Sequence, residues 1–215
     1  MRQGLSADTL LAAYASGVFP MAEHEDDPDL FWVDPRQRGV LPLDGFHISR
    51  SLARTLRRGI FSVTFDTDFA GVVAGCADRD ETWINATLRG LYAELAARGH
   101  AHSCEVHDET GALVGGVFGV AIGGAFFGES MFSRRTDASK VALAYLVDRL
   151  RAGGFTLFDT QFITPHLRRL GGLEIPRAAY RQKLATALET RARFDHGTPA
   201  PRRGQEVVQR NAQTS

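Results

Sequence analysis

The segment from residue 125 to residue 160 constrains the fold most, because it contains a strand, a helix and a second strand in succession. The first strand begins at Phe126 and runs into Glu129. A helix follows, with Asp137 as its predicted N-cap and a pair of glycines at its end. A buried-type strand over residues 155–158 comes next. Crossovers of this kind are right-handed and make their two strands parallel, so the segment predicts a mixed α/β core.

The whole chain divides into two predicted folded parts and a tail. Residues 1–60 contain short mixed elements and predict a small N-terminal α+β domain. Residues 61–194 contain more regular strands and helices, and they predict the larger domain. Residues 195–215 carry few apolar side chains, so we expect a disordered tail. The fold class is α+β (mixed α/β).

Two short polar segments, 30 residues apart, interrupt apolar sequence. The first carries Glu129 and the second carries Asp159 and Gln161. Carboxylates are seldom buried without partners, because desolvating a charge is costly. The crossover places both segments at the C-terminal edge of one sheet, where ligands bind in open α/β sheets. We expect Asp159 and Gln161 to share a strand face, with Thr160 opposite. A functional site and a set of purely structural polar groups both remain open at this point.

The balance of charges argues against a protein that binds nucleic acid over most of its surface. The chain has 25 basic and 25 acidic residues, and its hydrophobic and charged fractions, 44% and 23%, are those of an ordinary globular protein. A balanced total still permits a local basic patch or a merely solvated helix face. The strongest candidate patch is a predicted helix that carries Arg50, Arg54, Arg57 and Arg58.

The sequence shows no feature of export or of membrane insertion. Its two cysteines, Cys76 and Cys104, do not form a disulfide framework, which favours a reducing compartment. The N-terminus has no basic segment followed by an apolar core, and no apolar run approaches the ~20 residues that a membrane span needs. We therefore expect a cytoplasmic protein with no membrane partner.

Several other kinds of chemistry fit the sequence poorly. Ser130 and Ser133 do not lie in the Gly-x-Ser-x-Gly turn of a serine hydrolase. His100, His102 and Cys104 match none of the usual zinc spacings, and we expect them to be structural or surface residues. The glycines between residues 115 and 128 form neither a P-loop nor a dinucleotide fingerprint. We expect no metal and no cofactor.

A set of motifs, in order along the chain, resembles the leucyl/phenylalanyl-tRNA–protein transferase family. The resemblance runs from about residue 10 to residue 184. The motifs are GVFP at 17–20, TWI at 82–84, GHAHS at 99–103, GESMFSR at 128–134, ASK at 138–140, DTQ at 159–161, HL at 166–167, LG at 170–171 and IPR at 175–177.

The resemblance implies both a fold and an activity. The larger domain would resemble the GNAT acetyltransferase fold, with a smaller N-terminal domain before it. The enzyme would move leucine, phenylalanine or methionine from aminoacyl-tRNA to the N-terminal amine of proteins that begin with Arg or Lys, and this would mark those proteins for degradation. Gln161 would accept a hydrogen bond from the attacking amine, and Asp159 would polarise or orient that amine. Asp159 and Glu129 would favour a cationic acceptor, and which of the two serves the chemistry stays open.

The resemblance also implies an apolar pocket for the transferred amino acid and a basic surface for tRNA. The tRNA would bind mostly through its backbone, with the four arginines of the predicted basic helix as its site. The chain departs from the family around Trp32, where many members have two adjacent tryptophans, and at Val117, where some have methionine. The predicted substrate-binding residues are Trp32, Trp83, Val117, Phe126, Met131 and Ser133.

Two other functions remain as alternatives. A GNAT-type N-acetyltransferase would need a glycine turn that cradles the pyrophosphate of acyl-CoA at a helix N-terminus, and residues 132–137 contain no glycine. A non-catalytic RNA-binding module would keep its biological activity without the side chains of Asp159 and Gln161.

Overall fold

A computed structural model describes residues 5–27, 29–195 and 203–213. The helices are α1 (Ala7–Ala15), α2 (Arg50–Arg58), α3 (Phe69–Ala77), α4 (Ala86–Ala97), α5 (Ala138–Ala152), α6 (Pro165–Arg169), α7 (Arg177–Glu189) and α8 (Gly204–Ala212). The strands are β1 (Phe19–Met21), β2 (Phe31–Val33), β3 (Gln37–Val40), β4 (Ser62–Phe65), β5 (Ala101–His107), β6 (Leu113–Ile122), β7 (Ala125–Ser133), β8 (Leu157–Gln161) and β9 (Leu173–Pro176).

A seven-stranded sheet organises the described part of the chain. Its strand order is β4-β5-β6-β7-β8-β3-β9, and β1 and β2 form a separate two-stranded sheet. Strands β7 and β8 are parallel, whereas the other neighbouring strands are antiparallel. The predicted crossover through α5 is therefore confirmed, and so is the mixed α/β fold class. The likeness of the larger domain to acetyltransferases stays a prediction.

Apolar side chains cover both faces of this sheet, because neighbouring residues on a strand point to opposite sides. Phe126 packs on one face with side chains from α2, α5 and α8, and Phe127 packs on the other with side chains from α1, α3, α4 and α7. The crossover helix α5 supplies much of the first core. These two cores hold the ends of β7 and β8 in place from both sides.

The N-terminal region contributes directly to the large sheet. Strand β3 belongs to the segment predicted as a small N-terminal domain, yet it lies between β8 and β9. Gly39 is opposite Gln161 in this pairing, and a side chain at Gly39 would place its Cβ 2.6 Å from the carbonyl carbon of Phe162. The division of the chain at residue 60 stays a prediction.

The C-terminal segment differs from the expectation of a disordered tail. Residues 204–212 form α8, which packs on α2 and α5 through buried Val207 and Val208. Asn211 of this helix donates a hydrogen bond from Nδ2 to the carbonyl oxygen of Phe46 at 2.9 Å. The prediction is wrong for residues 203–213, because two valines and one amide suffice to anchor one side of the helix. Residues 196–202 and 214–215 lie outside the described residues.

The start of α5 also departs from the sequence prediction. Asp137 stands at the N-cap position with a φ of 70° and makes no side-chain capping bond. Its carboxylate instead accepts hydrogen bonds from Lys140 at 2.7 Å and from Thr55 at 3.1 Å, so it joins α2 to the β7–α5 turn. The hydroxyl of Ser133 accepts the amide hydrogen of Ser139 at 3.2 Å and supplies the missing cap. None of the helices in the described ranges is long and apolar enough to cross a membrane.

Candidate active site

The two polar segments meet at the C-terminal edge of the parallel strand pair. Phe127 of β7 lies opposite Asp159 of β8, which places Glu129 level with Gln161 two residues further on. The Gln161 side chain donates a hydrogen bond from Nε2 to Oε1 of Glu129 at 3.1 Å. The predicted convergence of these segments is therefore confirmed.

The end of β8 does not follow simple strand alternation. Gln161 has a φ of 63°, which is unusual for a residue other than glycine. Its backbone N–H donates to Oδ1 of Asp159 at 2.8 Å, and this bond stabilises the turned conformation. Thr160 and Gln161 consequently line the same pocket, whereas Asp159 does not line it. The expected shared face of Asp159 and Gln161 is wrong, because the backbone turns at Gln161.

Asp159 is fully buried and its oxygens are occupied by protein groups. Arg38 donates from Nε and Nη2 at 2.7 to 3.1 Å, and the Tyr180 hydroxyl donates at 2.7 Å. The Arg38 guanidinium lies between the rings of Phe19 and Tyr180, 4.5 Å from each centroid. Because its charge is paired with Arg38 and its oxygens already accept hydrogen bonds, Asp159 stabilises the end of β8.

Glu129 lies in a different electrostatic environment from Asp159. It is 7% exposed and has no cationic hydrogen-bond partner among the described residues. Tyr92 donates to its Oε2 at 2.8 Å, and the hydroxyls of Tyr92 and Tyr14 are 3.1 Å apart. Burial raises the pKa of Glu129 to about 7, although the hydrogen bonds from Tyr92 and Gln161 and the nearby Tyr14 hydroxyl act in the opposite direction. This carboxyl group is therefore poised to gain or lose a proton near neutral pH.

A cavity of about 280 Å³ opens beside Glu129 and Gln161. Three residues predicted as pocket walls, Trp83, Val117 and Met131, line it. The Thr160 hydroxyl oxygen is buried there without a hydrogen-bond partner. The remaining lining residues are Met21, Arg79, Gly128, Ser130, Leu143, Phe158, Phe162, Thr164 and Leu167. An apolar cleft with a few convergent polar groups is the usual form of a small-molecule site.

Three other predicted binding residues lie outside this lining. Phe126 is fully buried against three aromatic rings of the core, those of Phe155, Phe158 and Phe194. Trp32 is 42% exposed on β2, and Ser133 caps α5. The structure therefore does not bring them into the pocket with Glu129 and Gln161, and any substrate contact of theirs stays a prediction.

The predicted basic helix lines a second cavity. Arg50, Arg54, Arg57 and Arg58 of α2 surround a cleft of about 740 Å³ together with residues of α8. Ion pairs to these four side chains are absent among the described residues. The backbone N–H of His47, which lines this cleft, donates to the carbonyl oxygen of Leu170 at 2.9 Å, three residues after Leu167, which lines the first pocket.

The histidine cluster noted in the sequence has a structural explanation. His102 pairs with Asp66 at 2.8 Å and stacks on Phe194, with ring centroids 4.1 Å apart. Within the described ranges no group of three or more histidine, cysteine or acidic side chains is arranged to hold a metal ion.

Sequence reasoning missed the residues that support the polar pair. Arg38 pairs with Asp159 across 121 positions of the chain, and Tyr14 meets Tyr92 across 78. Neither arginine nor tyrosine lies in a local pattern that signals burial.

The fold and the site together define a mixed α/β protein with a carboxylate–amide centre beside an apolar pocket. A family model described as leucyl/phenylalanyl-tRNA protein transferase matches residues 40–185, and the model of its N-terminal domain matches residues 4–36. A leucyl/phenylalanyl-tRNA–protein transferase of Cereibacter sphaeroides (strain ATCC 17025) is 64% identical over 211 residues, which cover 98% of both chains. One of Ruegeria sp. (strain TM1040) is 65% identical over 212 residues, 98% of this chain and 99% of the other. The chain belongs to the leucyl/phenylalanyl-tRNA protein transferase family.

A more distant likeness concerns the fold alone. The crystal structure of FemX superposes with a TM-score of 0.52 over 79% of this chain and 66% of that chain, at 13% identity. This similarity supports the arrangement of helices and strands and carries no information about substrates.

Proposed function

We propose that this protein transfers leucine, phenylalanine or methionine from aminoacyl-tRNA to the N-terminal amine of proteins that begin with Arg or Lys, and so marks them for degradation. Family membership supports the reaction class. The observation that carries the proposal is the Glu129–Gln161 pair beside an apolar cavity. The reaction requires aminoacyl-tRNA, so we also propose a cytoplasmic location.

The apolar walls suit the side chain of the donor amino acid. Trp83, Val117 and Met131 offer an apolar surface for an aromatic side chain or an aliphatic one that is not branched at Cβ. Rejection of a β-branched side chain by shape alone is worth about 1–3 kcal/mol for each methyl-sized difference. The valine at position 117 leaves more room than a methionine would, and this favours the bulkier donors.

Gln161 is the residue we assign to the chemistry. Its Nε2 is engaged with Glu129, so its amide oxygen is free to accept a hydrogen bond from the acceptor amine. The amine attacks the ester carbonyl, a C–N bond forms, the bond to the tRNA ribose oxygen breaks, and the amine proton passes to that oxygen or to solvent. An α-amine has a pKa of about 7.7–8, so part of it is already neutral at neutral pH. Alignment of the amine with the ester can lower the activation free energy of the transfer by roughly 7–11 kcal/mol.

The two carboxylates have different roles in this proposal. Asp159 is occupied by Arg38, Tyr180 and the Gln161 backbone, so it positions Gln161 and does not touch the amine. Glu129 lines the pocket and is the carboxylate that meets a cationic acceptor. An acceptor that begins with Arg or Lys places positive charge near this group, which accounts for the preference electrostatically.

We propose the α2 arginines as the tRNA contact. Arg50, Arg54, Arg57 and Arg58 form an exposed cationic surface on α2, and Thr55 of the same helix donates to Asp137 in the turn that follows β7, the strand that carries Glu129. Backbone contacts of this kind are sensitive to salt and read little sequence. Arg79 lines the pocket of Glu129 and Gln161 and donates to the Ser130 hydroxyl at 3.1 Å, so we propose it as the contact for the terminal phosphates of the tRNA.

A transfer assay tests the proposal. The protein is incubated with labelled Leu-tRNA and a peptide that begins with Arg, with an otherwise identical peptide that begins with Ala as the control. We expect label on the Arg peptide only. Equal labelling of both peptides would refute the acceptor preference, and labelling of neither would refute the reaction. Acetylation of the Arg peptide from acetyl-CoA in parallel would favour the acetyltransferase alternative, while intact biological activity of Gln161→Ala would favour the RNA-binding one.

A further inference from the structure

Two buried tyrosine hydroxyls form a hydrogen-bonded chain that ends on Glu129. Tyr92 of α4 donates its proton to Oε2 of Glu129 at 2.8 Å. The oxygen of Tyr92 is then an acceptor for Tyr14 of α1, whose hydroxyl lies 3.1 Å away. Both tyrosines are fully buried. The protons of both hydroxyls therefore point toward the carboxyl group.

The second oxygen of Glu129 controls the Gln161 amide. Nε2 of Gln161 donates to Oε1 at 3.1 Å, which leaves the amide oxygen as its other end. An ionised carboxylate only accepts hydrogen bonds, so it selects this orientation of the amide. A protonated carboxyl group would also donate one hydrogen bond, and the preference would weaken. The protonation state of Glu129 thus determines how strongly the amide oxygen of Gln161 is kept facing the pocket.

We propose that Tyr92 and Tyr14 are positioning residues that keep Glu129 as an ionised acceptor and, through it, hold the amide oxygen of Gln161 toward the pocket. The consequence for aminoacyl transfer rests on the function proposed above. The hydrogen-bonded chain from Tyr14 through Tyr92 to Glu129, called the relay below, does not depend on that function.

The charged and titratable groups around Glu129 shift its pKa in both directions. Burial and the negative charge of Asp159 favour the protonated form, while the hydrogen bonds from Tyr92 and Gln161 and the nearby Tyr14 hydroxyl favour the ionised form. Beyond these groups, Arg38 pairs with Asp159, Tyr180 also bonds to Asp159, and Arg79 lines the same pocket. The net pKa of Glu129 is about 7. The ionised form is present above this pKa and is lost as the pH falls through it.

Removal of the Tyr92 hydroxyl should shift this balance. Tyr92→Phe takes away one donor to the charged form, so the pKa of Glu129 should rise by about one to two units. Tyr14→Phe acts through Tyr92 and should give a smaller rise. Tyr145→Phe is the matched control, because Tyr145 is buried in the core on the opposite face of the sheet.

Carbon-13 NMR of protein labelled at the glutamate carboxyl carbon measures the titration directly. The Glu129 signal is the one lost in Glu129→Gln, and spectra are recorded from roughly pH 5 to pH 9. We expect an upward shift in Tyr92→Phe, a smaller one in Tyr14→Phe and none in Tyr145→Phe. An unchanged Glu129 titration in Tyr92→Phe, or an equal shift in the control, would overturn the proposal.

The pH dependence of aminoacyl transfer gives the second readout. The acceptor amine titrates identically with every variant, so differences between variants report on the enzyme. We expect the loss of kcat at low pH to begin at a higher pH in Tyr92→Phe. A uniform decrease at every pH, with no shift, would indicate a merely structural role and contradict the relay. The NMR titration needs no substrate, so absence of transfer by the wild-type protein would refute the proposed function while the titration still decides the relay.

Discussion

Replacement of Arg38 by methionine tests how much the buried Arg38–Asp159 ion pair contributes to stability. Arg38 is 1% exposed, makes three hydrogen bonds to Asp159 and one to the Gly17 carbonyl, and lies between two aromatic rings. Methionine fills a similar volume without charge and leaves the Asp159 carboxylate buried with only Tyr180 and the Gln161 amide as partners. Loss of one member of a buried pair costs about 3–5 kcal/mol. For a chain of this length that corresponds to a decrease in Tm of roughly 6–20 °C.

Urea denaturation followed by circular dichroism measures this loss. The double variant Arg38→Met/Asp159→Asn removes both charges, and we expect it to be more stable than Arg38→Met alone, because the unpaired charge is gone. Arg134→Met is the control, since Arg134 is half exposed and pairs with exposed Asp78. A decrease below about 1 kcal/mol in Arg38→Met, or a double variant no more stable than the single one, would refute the reasoning.

Three further changes test other parts of the account. A side chain in Gly128→Ala would place its Cβ 2.8 Å from the Phe158 ring, which lines the pocket; we expect kcat/KM for Phe-tRNA to fall by about tenfold, and an unchanged value would count against the pocket assignment. Arg54→Glu should weaken Leu-tRNA binding and reduce the salt slope by about one in a filter-binding assay, whereas equal slopes would remove α2 from the interface. Val207→Asp should lower the free energy of unfolding by at least about 2 kcal/mol, with exposed Gln205→Asp as the control, and equal stability of the two would contradict the docking of α8.

Local patterns predicted the parts of the fold that depend on neighbouring residues. The crossover from β7 through α5 to β8 followed from apolar runs and glycines, and its parallel pairing followed from handedness. That pairing was enough to bring Glu129 beside Gln161. Strand β3 was missed, because four residues with an arginine and a glycine carry no alternating signal.

The support of the site depends on contacts between distant segments, and these leave no local signature. Arg38 and Asp159 are charged residues that individually indicate exposure, and only their pairing makes burial favourable. Phe126 was expected in the pocket because its motif position suggested it, but three core rings enclose it. The turn at Gln161 was equally unforeseen, since nothing in the residue type demands a positive φ.

The role of Gln161 is the central claim, and single-turnover transfer tests it most directly. Wild type, Gln161→Ala and the exposed control Gln182→Ala are compared for their transfer rate at saturating Leu-tRNA and for their Kd of Leu-tRNA. We predict that Gln161→Ala transfers leucine to the Arg peptide on the order of 10²-fold more slowly, while its Kd stays at the wild-type value. An unchanged saturating rate with a weakened Kd would contradict the claim, because Gln161 would then serve binding and not the transfer step.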